Sequence, residues 1–180
     1  KASASLQGVP TWRYVQTLFT QPSQSLAPRL FVNLINGGKH ATYGSPIQEH
    51  QIIPDTDDVA HAYEVACDVQ HVLNILLVEK YGEANIGKGD EGGFMIPSVS
   101  VFEPFQLLAQ AIEKAAPSIP VHIGTDIAAS SFYEEGRYML EDESKNSLEL
   151  LDFYDELHKR VPLLHMVEDP FFESDLETYA

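Results

Sequence analysis

Short apolar runs alternate along this chain with longer stretches of helical periodicity. Leu30 to Ile35 is apolar except for Asn33 and stops at Asn36-Gly37-Gly38, the pattern of a buried strand entering a tight turn. Ile47 to Ile53 holds a second short strand, closed by Pro54. Val59, Ala62, Tyr63, Ala66, Val69, Leu73, Leu76 and Leu77 then recur at helical spacing and predict one buried stripe. Thr56 is placed to cap this helix, with Asp57 and Asp58 in the first turn and Gly82 after the last, where the helix dipole favours acidic groups at the start.

The same alternation continues. Ser100 and Glu103 have the spacing of a capping box before Phe105, Leu108, Ala109 and Ile112, and Pro117 limits that helix. Val121 to Gly124 predicts a strand leading directly to Asp126. Phe132 to Leu140 has the pattern of a hairpin turning at Glu135-Gly136. Ser147 is placed to cap a helix with Leu150, Leu151, Tyr154 and Leu157 inward, and Val161 to Val167 ends at Glu168-Asp169-Pro170. Strands alternating with helices predict an α/β fold, either a barrel or an open parallel sheet. Both folds bring polar residues together at strand C-terminal ends, however distant they are in sequence. His40, Asp90-Glu91, Asp126 and Glu168 each follow an apolar or intermediate segment in this way.

Composition narrows the function classes. The 180 residues are enough for one sizeable core, and 44% hydrophobic with 21% charged residues fits a soluble globular chain. A formal net charge of −16 repels nucleic-acid phosphates, so no nucleic-acid role is expected. No apolar run approaches the roughly 18 residues of a membrane span, so no membrane partner is expected. The chain opens on Lys1 with no signal-like segment, and its natural start is expected elsewhere. Cys67 is the single cysteine, which excludes a disulfide framework and fits a reducing compartment. Its place in a helical apolar pattern predicts a core position.

Five residues are candidates for chemistry. Gly89-Asp90-Glu91-Gly92-Gly93 frees two carboxylates from neighbouring bulk; an acidic surface turn is the plainer alternative. It lacks the Lys-Ser/Thr ending of a phosphate loop. Asp126 and Glu168, at strand ends, suit a hard divalent cation such as magnesium, which takes oxygen ligands. Each alone would equally serve as a helix cap or ion-pair partner; their shared placement favours a site. His40 is a candidate contact for an anionic substrate, and Glu49, within a short strand, needs a partner if it points inward. His61 and His71 lack the i, i+4 spacing of a zinc pair, and Ser130-Ser131 lacks a nucleophile elbow.

Taken together, these segments resemble enolase. The resemblance rests on Val9-Pro10-Thr11-Trp12, Asn33-Leu34-Ile35-Asn36-Gly37-Gly38 with His40, and Ile47-Gln48-Glu49. It continues through Gly89-Asp90-Glu91-Gly92-Gly93-Phe94, Asp126-Ile127-Ala128-Ala129-Ser130, Phe132-Tyr133 and Val167-Glu168-Asp169-Pro170-Phe171. Their order and separations match that family across nearly the whole chain. The resemblance implies a partial enolase-type (β/α)8 barrel, with residues 1–180 forming its N-terminal and central part. A smaller preceding domain, a third carboxylate ligand and a lysine base on later strands are expected outside this chain. It also implies a magnesium-dependent lyase of glycolysis and gluconeogenesis that interconverts 2-phosphoglycerate and phosphoenolpyruvate. Asp126 and Glu168 look like metal ligands, Glu91 like the acid at the leaving 3-hydroxyl, and Glu49 and His40 like substrate-contacting groups beside it. A cytoplasmic homodimer acting on a small phosphorylated carboxylate is expected of the intact protein. Lys39, His50, Met95-Ile96 and Ser131 depart from the usual residues of the family, so a non-catalytic enolase-like structural or interaction protein is the alternative.

Overall fold

A computed structural model describes residues 1–19, 28–98 and 100–180. Two short helices, α1 (Ala2–Leu6) and α2 (Thr11–Gln16), precede the first strand. The two early apolar runs become β1 (Val32–Asn36) and β2 (Glu49–Pro54). The long periodic stretch becomes α3 (Val59–Tyr81), and Gly82 ends it at φ 78°, a left-handed conformation suited to glycine. Two very short strands follow, β3 (Gly87–Lys88) and β4 (Phe94–Met95), then α4 (Glu103–Ala115) and β5 (Val121–Asp126). A small meander of β6 (Tyr133–Glu134), β7 (Arg137–Leu140) and β8 (Glu143–Lys145) precedes α5 (Ser147–Arg160). The last strand is β9 (Leu164–Glu168), followed by α6 (Leu176–Tyr179).

Six strands form one sheet in the order β3-β4-β1-β2-β5-β9, and β6-β7-β8 form a second. The α/β class holds. The simple parallel alternation does not, because β2 runs antiparallel to both β1 and β5, whereas β1/β4 and β5/β9 are parallel. The reason lies in the connection. Residues 37–48 contain only a three-residue 3-10 turn, Gly38–His40, and a parallel crossover normally needs a helix to return the chain. Helices α3 and α4 pack on each other and on β2. Ile52, Leu73, Leu77, Phe105 and Leu108 are wholly excluded from solvent in this layer.

Helix starts differ in detail from the sequence pattern. Asp58, not Thr56, caps α3: its carboxylate accepts from the amides of Ala60 and His61, while Thr56 Oγ1 accepts from Asp58 N. Asn146, not Ser147, caps α5, in a capping box with Glu149. Ser100 and Glu103 form no capping box; the Ser100 hydroxyl accepts from Phe102 N, and Pro104 sits in the first turn of α4 with its missing amide at an end that needs none. The buried stripes are also shifted. Val59, Tyr63 and Leu151 are exposed, Val65 and Phe153 take inward places, and Cys67 is exposed rather than in the core. No described helix is long and apolar enough to cross a membrane.

One buried group makes this packing sensitive to acid. His50 is fully buried, edge-on to Phe105 with ring centroids 4.7 Å apart. Its Nδ1 lies 3.0 Å from the Ile35 carbonyl and its Nε2 lies 3.5 Å from Ser45 Oγ. A carbonyl only accepts, so Nδ1 carries the proton and Nε2 accepts from the serine. Burial disfavours a second proton and pushes the imidazole down from 6.5 to about 4. The unfolded chain therefore binds this proton more readily between those values. The stability that neutral His50 contributes is complete above pH 6.5 and is lost as pH falls toward 4. Its size is on the order of 3 kcal/mol. Urea unfolding across that range should show a shallower acid dependence in His50→Phe than in the unaltered chain; parallel curves would contradict the assignment.

Candidate active site

Strand register lines up the polar groups. Asn36 of β1 pairs with Glu49 of β2, Glu49 with Asp126 of β5, and Asp126 with Glu168 of β9. Glu49 begins its strand while the other three end theirs, and the antiparallel β2 brings all four to one rim. A second row lies beneath them: Asn33, Gln51, Gly124 and Met166. The pairing of β1 with β2 is irregular between Asn33 and Ile35. Residues three apart would ordinarily face opposite sides of a strand. The irregularity leaves Leu34 as the extra residue and turns both asparagines toward the face of Glu49 and Gln51.

Two loops close over this row. The 3-10 turn places His40 Nδ1 3.5 Å from Glu49 Oε1 and 3.3 Å from Glu91 Oε2. Glu91 comes from the hairpin loop 89–93 and accepts a 2.9 Å hydrogen bond from Asn33 Nδ2. His40, Glu49 and Glu91 thus offer donor atoms all within 4.8 Å of one another. Asp90 N reaches the His40 carbonyl at 3.4 Å and ties the loops together. The loop needs glycine where it crosses Asn36. A Cβ on Gly89 would stand 2.6 Å from Asn36 Cβ, and one on Gly93 would collide with Asn36 Oδ1.

The carboxylates are held by neutral donors. Gln51 Nε2 donates to Glu49 at 2.6 Å; Gln48 Nε2 and the Ala128 amide donate to Asp126 at 3.1 and 2.9 Å. Among the described residues no lysine or arginine forms an ion pair with Glu49, Asp126 or Glu168. Burial raises Glu49 above the ordinary carboxylate range, with Glu91 and Asp126 adding to it and Gln51 opposing it. Burial also raises Asp126, and raises Glu168, to which Asp126 and Asp169 add. Glu91 moves the other way, held down chiefly by the Asn33 hydrogen bond and then by Glu49 and His40, with burial opposing them. A row of carboxylates, half-buried at Glu49 and Asp126 and without a lysine or arginine partner among the described residues, is costly unless a cation completes it. The oxygen donors of Asp126 and Glu168 fit a hard divalent ion.

Comparison with known proteins bears on this geometry. The family model described as "Enolase, C-terminal TIM barrel domain" matches residues 24–180. The chain belongs to the enolase family. It is 35% identical over 181 residues to the enolase of Methanocaldococcus jannaschii, covering 100% of this chain and 42% of that relative. It is 36% identical over 185 residues to the enolase of Methanopyrus kandleri, again covering 100% of this chain and 42% of that protein. For the enolase of Methanosarcina barkeri the values are 36% over 183 residues, 99% of this chain and 41% of the relative. The chain therefore spans about two fifths of the length of these enolases, and its six-stranded sheet is part of the enolase barrel.

All five candidates from the sequence lie on this one rim of the enolase barrel portion. His40, Glu49 and Glu91 meet in one cluster, and Asp126 and Glu168 continue the row. Asn33, Asn36, Gln48 and Gln51 were not among those candidates. The signal for Asn33 was its place as the one polar break in an apolar run; nothing in the sequence marks the β1 irregularity that aims it.

The fit of Gly93 against Asn36 is testable by urea unfolding. Gly93→Ala should destabilise the chain by about 1–3 kcal/mol through overpacking. Because the clash is with the asparagine side chain, Asn36→Ala should relieve part of it. The double variant should then be less destabilised than the sum of the singles. Strict additivity would contradict the contact.

Proposed function

We propose that the intact protein carrying this chain is a magnesium-dependent lyase of glycolysis and gluconeogenesis. It would interconvert 2-phosphoglycerate with phosphoenolpyruvate and water. The observation that carries this reading is the convergence of His40, Glu49 and Glu91 beside the register-aligned pair Asp126 and Glu168. Family membership supports it. Residues 1–180 would form the N-terminal and central part of the barrel. A smaller preceding domain and the later strands, with the lysine base, would lie elsewhere in the polypeptide. A cytoplasmic homodimer is part of the same proposal.

Each group has a role suited to its surroundings. Glu91 would protonate the departing 3-hydroxyl, with Glu49 beside it as a store of that proton. Burial and neighbouring negative charge favour the protonated form of Glu49, so the pair can hold one proton between two carboxylates. His40, within reach of both, would orient the pair and contact the anionic substrate. Asp126 and Glu168 would hold magnesium, whose charge stabilises the negative charge developing on the substrate carboxylate. Gln48 fixes Asp126 by a neutral hydrogen bond, which leaves its negative charge available to the cation, while Gln51 and Asn33 orient Glu49 and Glu91.

The test compares phosphoenolpyruvate formation with exchange of the substrate's C2 proton in the intact protein. Glu91→Gln keeps side-chain size but removes the transferable proton. Dehydration should fall on the order of 10²–10⁴-fold, while C2 exchange persists. Equal dehydration rates would remove Glu91 from the mechanism. A folded, magnesium-supplied protein without any turnover would support the structural enolase-like alternative instead.

A further inference from the structure

The loop that carries Glu91 has little of its own to hold it. It is the turn of a hairpin whose strands, β3 and β4, are two residues each. Such a hairpin is marginal without support from beyond its own pairing. Three of the five loop residues are glycines, which give backbone freedom and no packing. One flank is fixed, because Phe94 is buried and pairs with Ile35 of β1. The other flank ends at Lys88, the register partner of Phe94.

Lys88 joins the free flank to the fixed one. Its ammonium lies 3.6 Å from the centroid of the Phe94 ring, close enough for a cation–π contact. The same nitrogen donates to the Gly92 carbonyl at 3.2 Å. One side chain thus closes the base of the hairpin and grips the loop next to Glu91. Backbone bonds from Gly89 N to the Gly93 carbonyl (2.9 Å) and from Gly92 N to the Gly89 carbonyl (3.0 Å) complete the turn. Lys88 and Phe94 also border a cavity of about 300 Å³ lined by Cys67, Gln70, His71 and Asn74. Among the described residues no carboxylate borders that cavity or forms an ion pair with Lys88 that would draw the ammonium off the ring.

We propose that Lys88 is a positioning residue for Glu91: it locks the glycine hairpin onto Phe94 and so holds the Glu91 carboxylate against Asn33 and His40. This inference rests on the proposed dehydratase reading for its catalytic consequence, but not for the strut itself. The Lys88 amine touches no group of the candidate site, so its effect is on where Glu91 stands. Loss of the strut should therefore lower the rate of the acid-assisted step and spare both substrate affinity and C2 proton removal.

The experiment uses Lys88→Met, which keeps an apolar stem, and Lys88→Arg, which restores both a cation and an N–H donor, in the intact protein. Amide hydrogen exchange is followed over residues 89–93, together with kcat, KM and C2 exchange. Lys88→Met should speed loop exchange and lower kcat for dehydration about two- to fivefold, the range of one exposed cation–π contact. KM and C2 exchange should stay near those of the unaltered protein, and Lys88→Arg should recover both kcat and loop protection. Unchanged loop exchange in Lys88→Met would overturn the strut. Faster loop exchange with unchanged kcat would overturn its positioning role, as would an equal deficit in both variants. Absence of turnover in the unaltered protein would instead overturn the dehydratase reading, and with it the catalytic role, leaving loop exchange to decide the strut alone.

Discussion

The direction of β2 governs where the acidic groups meet. Had the chain crossed over between β1 and β2, Glu49 would begin a parallel strand and lie at the far edge of the sheet from Asp126 and Glu168. The short 37–48 connection reverses the chain instead. Glu49 then starts its strand at the rim where β5 and β9 end, in register with Asp126. The irregular β1 pairing does the same for the amides, turning Asn33 and Asn36 onto one face. Two local features of backbone geometry thus assemble most of the site before any side chain is considered.

That assembly runs against stability. Carboxylates aligned on adjacent strands repel one another, and burial penalises each charge. The shifts record this: Glu49, Asp126 and Glu168 are all raised. A scaffold serving only its own stability would set basic partners among them, as it does on the outer surface with Lys80–Glu103 and Arg137–Glu149. Here Glu49 and Asp126 are held by the Gln51 and Gln48 amides and the Ala128 N–H, which orient a carboxylate without neutralising it. Departures from self-consistency of this kind concentrate at functional sites.

The sequence disclosed the elements better than their edges. Strong periodicity located α3, α4 and α5, and the apolar runs located β1, β2, β5 and β9. Cap positions slipped by one or two residues because Asp58 competes with Thr56, and Asn146 with Ser147, and only the turn geometry selects between them. The burial of His50 was hidden, since a histidine following a glutamate gives no sign of facing Phe105. His40, Glu49, Glu91, Asp126 and Glu168 were legible as candidates from residue type and place. Their alignment was not, because it depends on the antiparallel register of β2 and on a one-residue irregularity that no local pattern encodes.

Asp126 stands between Glu49 and Glu168 in a single row of interacting carboxylates. Carboxyl-carbon NMR titration of Glu49 and Glu168, in the unaltered protein and in Asp126→Asn without added metal, measures this directly. Removing the central charge relieves repulsion on both sides, so both midpoints should move down toward the ordinary carboxylate range. A Glu168 midpoint that stays in place in the variant would contradict the interaction between neighbouring carboxylates along the rim.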